Sequence, residues 1–308
     1  MIELRDITVR FGSLVALDKL TLEIPSGEAF GYIGPNGAGK STTMKILACL
    51  LQPDEGRATV DGLDVRKDGD QIRRRVGYMP DFLGVYDDLT VDEYLQFFAA
   101  AFEVPRKERR QIIDGVLDLT DLTDKKDELV DSLSRGMQQR LGVARVLVHD
   151  PAVLLLDEPA SGLDPRARIE MRELLVELRS MGKTILVSSH ILSELHEMCS
   201  SIGIIERGEL LFAGQLDHAF DQAGIGNRIL LDLEADVDRA RAMLADDERC
   251  ESVTLDQQRL AIDLKHGLDS QHFIFETLIK HGFRIRSFDV SEQKLEDVFL
   301  RLTKGKVQ

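Results

Sequence analysis

The segment Gly34-Pro35-Asn36-Gly37-Ala38-Gly39-Lys40-Ser41 constrains this chain more than any other, because it matches the phosphate-binding pattern G-x-x-x-x-G-K-[ST]. The apolar run Ala29–Ile33 precedes it as a strand, and Thr42–Leu51 reads as a helix after it. Glycines let backbone N–H groups turn inward onto phosphate oxygens without Cβ clashes. The helix N-terminus aims about half a positive charge at the same point. Lys40 is expected to span the β- and γ-phosphates of a nucleotide, and Ser41 to ligate Mg²⁺. Pro35, Asn36, Ala38 and Thr42 complete the cradle. A loop of this kind sits between a buried strand and a helix, so the segment predicts an α/β domain.

The rest of the first two thirds agrees. Ala152–Leu156 and Thr184–Val187 are short, continuous apolar runs, as expected of strands buried on both faces of a largely parallel sheet. The first exits into Asp157-Glu158-Pro159, and open α/β sheets place their chemistry beyond the carboxyl ends of their strands. Asp157 is expected to hold Mg²⁺ as the acidic partner of Ser41, and Glu158 to orient and polarise an attacking water. Between Tyr78 and Asp150 the strand signal gives way to helices. One of them opens with the capping box Thr90-Val-Asp-Glu93, followed by Tyr94, Leu95, Phe98 and Phe102 at helical spacing.

After Gly214 the pattern changes to strands at Arg228–Leu233, Ser252–Leu264 and Arg284–Val290, with helices near Asp236–Leu244 and His272–His281. The expected organisation is an α/β domain over 1–215, with a helical insertion at about 84–150, and a small α+β domain over 228–308. The loop Gln222–Asn227 reads as the linker.

Composition excludes several alternatives. A formal net charge of −15 argues against non-specific nucleic-acid binding, which needs basic surface. No run approaches the roughly 20 apolar residues that span a bilayer. The segment Met1–Asp6 alternates like a strand and lacks the basic and apolar regions of a signal peptide. The expectation is a cytoplasmic protein whose membrane role, if any, is by association. Cys49, Cys199 and Cys250 are odd in number and far apart, which suits buried thiols rather than disulfides or zinc.

Taken together, these residues resemble the nucleotide-binding domains of ABC transporters, over about residues 2–215. Leu133-Ser134-Arg135-Gly136-Met137-Gln138-Gln139-Arg140 is similar to the family's signature segment, with Arg135 and Met137 where Gly and Gln are commonest. The resemblance implies that Ser134 and Gly136 contact the γ-phosphate of ATP held by a second subunit. It also implies that Asp164, in Ser161-Gly-Leu-Asp164-Pro165, belongs to the loop that crosses that interface. Asp164 and Pro165 equally suit a helix N-cap and first helical position. His190 stands where the family's switch histidine meets the γ-phosphate, and Phe11 where an aromatic stacks on adenine. Asp81, in Gly77-Tyr-Met-Pro-Asp81, replaces the usual Gln: it keeps an oxygen ligand suited to a hard cation but loses reach and the amide donors.

The ending Leu295–Leu302 is similar to drug-exporter-type ATPase subunits. The function implied is an ATPase, peripheral on the cytoplasmic face of the membrane, that dimerises around two MgATP and drives a separate integral-membrane permease, in export. The region Gly84–Phe102 is the expected permease contact. The alternatives are a soluble ABC-type ATPase not coupled to transport and a nucleotide-binding module that does not hydrolyse.

Overall fold

The computed structural model describes residues 1–82, 84, 88–223, 228–256, 259–265, 268, 270–291 and 295–303. The chain divides into two compact units, one over Met1–Gly214 and the other from Gln215 onward.

The first unit is built on strands β1 Ile2–Phe11, β2 Leu14–Ile24, β3 Ala29–Ile33, β4 Glu55–Val60, β5 Leu63–Asp64, β6 Val76–Met79, β7 Val153–Asp157, β8 Thr184–Ser189, β9 Ser201–Glu206 and β10 Glu209–Gln215. Its helices are α1 Lys40–Leu47, α2 Gly69–Arg73, α3 Val91–Ala101, α4 Arg106–Leu119, α5 Arg135–Leu147, α6 Pro165–Ser180 and α7 Leu192–Met198. Six strands form one sheet in the order β10-β9-β3-β8-β7-β6. Within it β3 runs parallel to β8 and β9, and β7 parallel to β6 and β8. Every residue of β3, β7 and β8 is buried, as their unbroken apolar runs require. Each fully buried Leu, Ile or Val there contributes on the order of 1.5–3 kcal/mol.

A second, antiparallel sheet, β2-β1-β4-β5, accompanies it. The expectation of a largely parallel sheet did not include this one. Its strands alternate, with Leu17, Leu20, Leu22 and Ile24 buried between exposed neighbours, which is the pattern of a sheet with one solvated face. The stretch between β6 and β7 is helical. The Thr90 hydroxyl accepts from the Glu93 N–H while the Glu93 carboxylate accepts from the Thr90 N–H, completing the capping box at the start of α3.

The second unit carries α8 Leu216–Ala223, β11 Arg228–Leu233, α9 Val237–Ala245, β12 Cys250–Asp256, β13 Arg259–Leu264, α10 His272–Lys280, β14 Ile285–Ser291 and α11 Leu295–Leu302. Its antiparallel sheet has the order β12-β13-β11-β14. Ile229, Leu231, Leu260, Ile262, Ile274 and Leu278 form the heart of its own core. The Ser252–Leu264 run is two paired strands, and α8 is a helix the sequence reading did not assign. Residues 224–227 of the expected linker lie outside the described residues.

All three cysteines are free thiols. Burial pushes Cys199 up to about 12 and Cys250 up to about 11, so neither is a ready nucleophile.

Candidate functional site

The loop after β3 is shaped by its glycines. Gly37 and Gly39 adopt φ values of 81° and 110°, in the region that only glycine enters without strain. A Cβ on Gly39 would lie 2.6 Å from Leu17 and 2.8 Å from the Ala16 carbonyl oxygen, so β2 presses directly on the loop. Gly39 caps α1, which begins at Lys40 rather than Thr42. The helix ends at Leu47, and the chain turns out of it through Cys49 at φ 57°. Below the loop, the Thr43 hydroxyl donates to the Gly39 carbonyl at 3.0 Å and meets the buried Tyr32 hydroxyl at 3.3 Å.

Lys40 is 6% exposed. Its ammonium donates to the Gly34 carbonyl at 2.6 Å and the Pro35 carbonyl at 3.4 Å, and stands 3.6 Å from Glu158 Oε1. Ser41 follows it in the first turn of α1.

The carboxylates stand on the neighbouring strand ends. Asp157 is 3% exposed, and its Oδ1 accepts from the Ser188 hydroxyl at 2.6 Å. The Glu158 N–H donates to that hydroxyl at 3.0 Å and to the Ser188 carbonyl at 3.2 Å. Glu158 itself sits at φ 53°, a strained conformation for a residue with a side chain. Its Oε2 meets His190 Nδ1 at 2.6 Å and the His190 N–H at 3.3 Å. Its Oε1 is buried without a hydrogen-bond partner. Ser188 was not singled out from the sequence; the only signal was a pair of serines ending an otherwise aliphatic strand.

Asp81 leaves β6 beside this group. Burial raises its carboxyl, and repulsion from Asp157 and Glu158 raises it further, against the opposing pull of Arg135 and His190. Phe11 ends β1 and pairs with Leu14 in the hairpin whose next residues, Ala16 and Leu17, abut Gly39. It is 51% exposed, an apolar ring open to solvent.

Ser134 and Asp164 are N-caps. The Ser134 hydroxyl accepts from the Met137 N–H at 3.4 Å, and Asp164 Oδ1 accepts from the Arg166 and Ala167 N–H groups at 3.0 Å. Gly136 packs on α6, where a Cβ would lie 2.9 Å from that of Ala167. Among the described residues, no hydrogen bond joins Ser134, Gly136 or Asp164 to the Gly34–Ser41 loop.

The structure therefore brings together Lys40, Asp157, Glu158 and His190 and sets Asp81 beside them, while Ser134, Gly136 and Asp164 cap and pack the helices α5 and α6. A hydroxyl at Ser41 and the buried carboxylate of Asp157 are hard oxygen donors, which suits Mg²⁺ shared with phosphate oxygens. Among the described residues, no three His, Cys, Asp or Glu side chains form a cage that would hold a metal by themselves. Glu158 Oε1, buried without a hydrogen-bond partner and 3.6 Å from the Lys40 ammonium, is an acceptor next to the phosphate loop.

Comparisons with known proteins bear on the family and the fold. The family model described as ABC transporter matches residues 17–161. The bacitracin transport ATP-binding protein BcrA of Bacillus licheniformis is 34% identical over 307 residues, which cover 99% of this chain and 98% of that one. An ABC transporter ATP-binding protein of Synechocystis is 42% identical over 204 residues, 65% of this chain, and the chain spans 57% of that relative's length. The dimeric ATP-binding cassette MJ0796, solved in a post-hydrolysis state with ADP and Pi, matches with a TM-score of 0.63 at 28% identity, over 70% of this chain and 99% of that chain. No described helix is long and apolar enough to cross a membrane.

Proposed function

We propose, on the premise that this chain belongs to the ABC transporter family of ATP-binding proteins, that it hydrolyses ATP to drive a separate membrane permease in the export direction. The observation that carries the chemistry is the meeting of Lys40 and Glu158 at 3.6 Å, with Glu158 tied to His190 on its other oxygen. Lys40 and the loop amides hold the β- and γ-phosphates. Ser41 and Asp157 would hold Mg²⁺, which would supply positive charge to offset that building on the phosphate oxygens. Asp81 lies close enough to tune that charge, and its shorter side chain makes a direct metal bond the weaker expectation. Glu158 Oε1 accepts the proton of the attacking water as its oxygen bonds to the γ-phosphorus and the bond to the ADP oxygen breaks. His190 orients the carboxylate and faces the γ-phosphate. Phosphoryl transfer asks the protein mainly for such positioning and charge stabilisation. Phe11 stacks on the adenine.

Ser134, Gly136 and Asp164 find their use across a two-fold joint between copies of this chain. The dimeric form of the cassette it resembles supports that reading. The permease contact falls on the region 84–102, where Phe97 of α3 is exposed. That contact would hold the protein peripherally on the cytoplasmic face of the membrane. The Nod factor export ATP-binding protein I of Burkholderia orbicola, 39% identical over 225 residues, supports the export direction, and the formal charge of −15 disfavours a nucleic-acid partner.

Steady-state ATP turnover tests the reading. Glu158→Gln should lose about 10²–10⁴-fold in turnover while still binding MgATP, the usual cost of removing a general base. Lys40→Ala should lose nucleotide binding. Undiminished turnover in Glu158→Gln would remove Glu158 from this role.

A further inference from the structure

Arg135 is the first residue of α5, following the N-cap Ser134. A cation there is opposed by the positive end of the helix dipole, and the first turn of α5 holds no acidic residue to compensate. Its side chain, although exposed, lies against Gly162, which is exposed as well. A Cβ placed on Gly162 would lie 2.5 and 2.6 Å from the two terminal nitrogens of Arg135 and closer still to the central carbon. Near-equal approach to all three atoms means that the flat face of the guanidinium lies on the Gly162 backbone. Gly162 has φ +69°, so both its missing side chain and its left-handed conformation serve the contact. The turn that contains it begins at Glu158, whose carbonyl accepts from the Ser161 N–H at 3.0 Å, and ends at the N-cap Asp164.

We propose that Arg135 is a positioning residue for hydrolysis, fixing the turn after Glu158 by stacking its planar guanidinium on Gly162 of the same chain. The link joins the start of α5 to the segment that sets both the strained Glu158 backbone and the cap of α6. Loosening it lets the Glu158 carboxylate wander from the attacking water without touching the phosphate cradle. A planar, delocalised cation can lie on a peptide face, whereas the compact ammonium of lysine cannot reproduce that contact.

The inference rests on the ATPase reading above, and one set of measurements separates the two. Turnover, KM and thermal midpoint are measured for the parent and for Arg135→Ala, Arg135→Lys, Gly162→Ala and the Arg135→Ala/Gly162→Ala pair. Misplacing a catalytic group costs up to about 10²-fold, so a fall in kcat of at least roughly tenfold is expected in Arg135→Ala, with KM for MgATP within about twofold. Arg135→Lys should not restore the rate. Gly162→Ala, which evicts the guanidinium, should fall to a similar level, and the double variant should be no slower than the worse single. Full turnover in Arg135→Ala or Arg135→Lys, additive losses in the double variant, or a loss confined to KM would overturn the proposal while leaving the ATPase intact. No turnover in the parent would sink both.

Discussion

Replacing Ser188 by alanine removes the hydrogen bond on which the buried carboxylate of Asp157, the proposed Mg²⁺ ligand, depends. The serine hydroxyl has one proton to give and gives it to Asp157 at 2.6 Å, while accepting the Glu158 N–H at 3.0 Å. Alanine removes both contacts. The second loss is small, because the Glu158 N–H keeps the Ser188 carbonyl at 3.2 Å. The first is not, because Asp157 is 3% exposed and water cannot reach in to replace the donor. A hydrogen bond to a buried charged group is worth about 1.5–3 kcal/mol. In a unit of this size each kcal/mol moves the midpoint by about 2–4 °C, so a fall of about 3–12 °C is expected. If the whole amount is also felt in the transition state, turnover falls about 10- to 150-fold. The Mg²⁺ concentration needed for half-maximal rate should rise, since the carboxylate is no longer aimed. Ser188→Thr keeps the hydroxyl in a residue that suits a strand and should preserve most of the activity. The assay is ATP turnover across a Mg²⁺ titration, with thermal unfolding of the same samples. An alanine variant within twofold in rate and unchanged in midpoint, or a threonine variant as damaged as alanine, would refute the argument.

Gly34→Ala should destabilise the fold by about 1–3 kcal/mol, the usual cost of overpacking, because its Cβ would meet the Ile205 carbonyl oxygen and lie 2.9 Å from the Ile205 side chain. Thermal unfolding measures this, and an unchanged midpoint would show that the loop can yield. Phe11→Ala should weaken ATP binding by about 5- to 150-fold, from loss of about 1–3 kcal/mol of base stacking. Because the ring is half exposed, stability should be unaffected; equal affinity by calorimetry would remove Phe11 from the adenine. His149 stacks on Phe102 at 3.8 Å, meets the Val76 carbonyl at 3.2 Å, and has a buried Nδ1 without a hydrogen-bond partner. Burial holds its pKa below the usual histidine value, so below about pH 6.5 the unfolded chain binds more protons at this site. The stability His149 contributes is thus full above that pH and is lost as pH falls through its folded value. His149→Gln should flatten urea-unfolding stability over that acidic range, and an unaltered slope would contradict the assignment.

What could be read from the sequence and what could not follow a physical division. Strands β3, β7 and β8 were legible because continuous burial demands continuous apolar residues. The phosphate loop was legible because left-handed backbone at Gly37 and Gly39 demands glycine. The start and end of α1 were not, since Gly39 can cap a helix without a polar side chain and Cys49 turns the chain at a φ no propensity signals. The antiparallel sheet β2-β1-β4-β5 escaped because alternation shows a half-buried strand but not its partner. Ser188 and the Arg135–Gly162 contact escaped for a common reason. Each joins residues tens of positions apart, and nothing in the local sequence at either end names the partner.

The register of the sheet connects these scattered signals. Ile33 pairs with Ser189 and Asp157 with Ser188, so Gly34, His190 and Glu158 leave three adjoining parallel strands at nearly one level. A slip of one residue between β7 and β8 would displace Glu158 by about 3.3 Å and turn alternate side chains to the opposite face. The 2.6 Å contact with His190 and the 3.6 Å approach of Lys40 would both be lost. Hydrophobic alternation cannot enforce that register, because both faces of β7 and β8 are buried and a slipped strand would still bury leucine and valine. A polar pair can. A one-residue slip toward the start of β8 would bury Asp157 opposite Val187, which has no hydroxyl to give, at a cost of several kcal/mol. The Ser188–Asp157 hydrogen bond therefore opposes that slip, as well as aiming one carboxylate within the site.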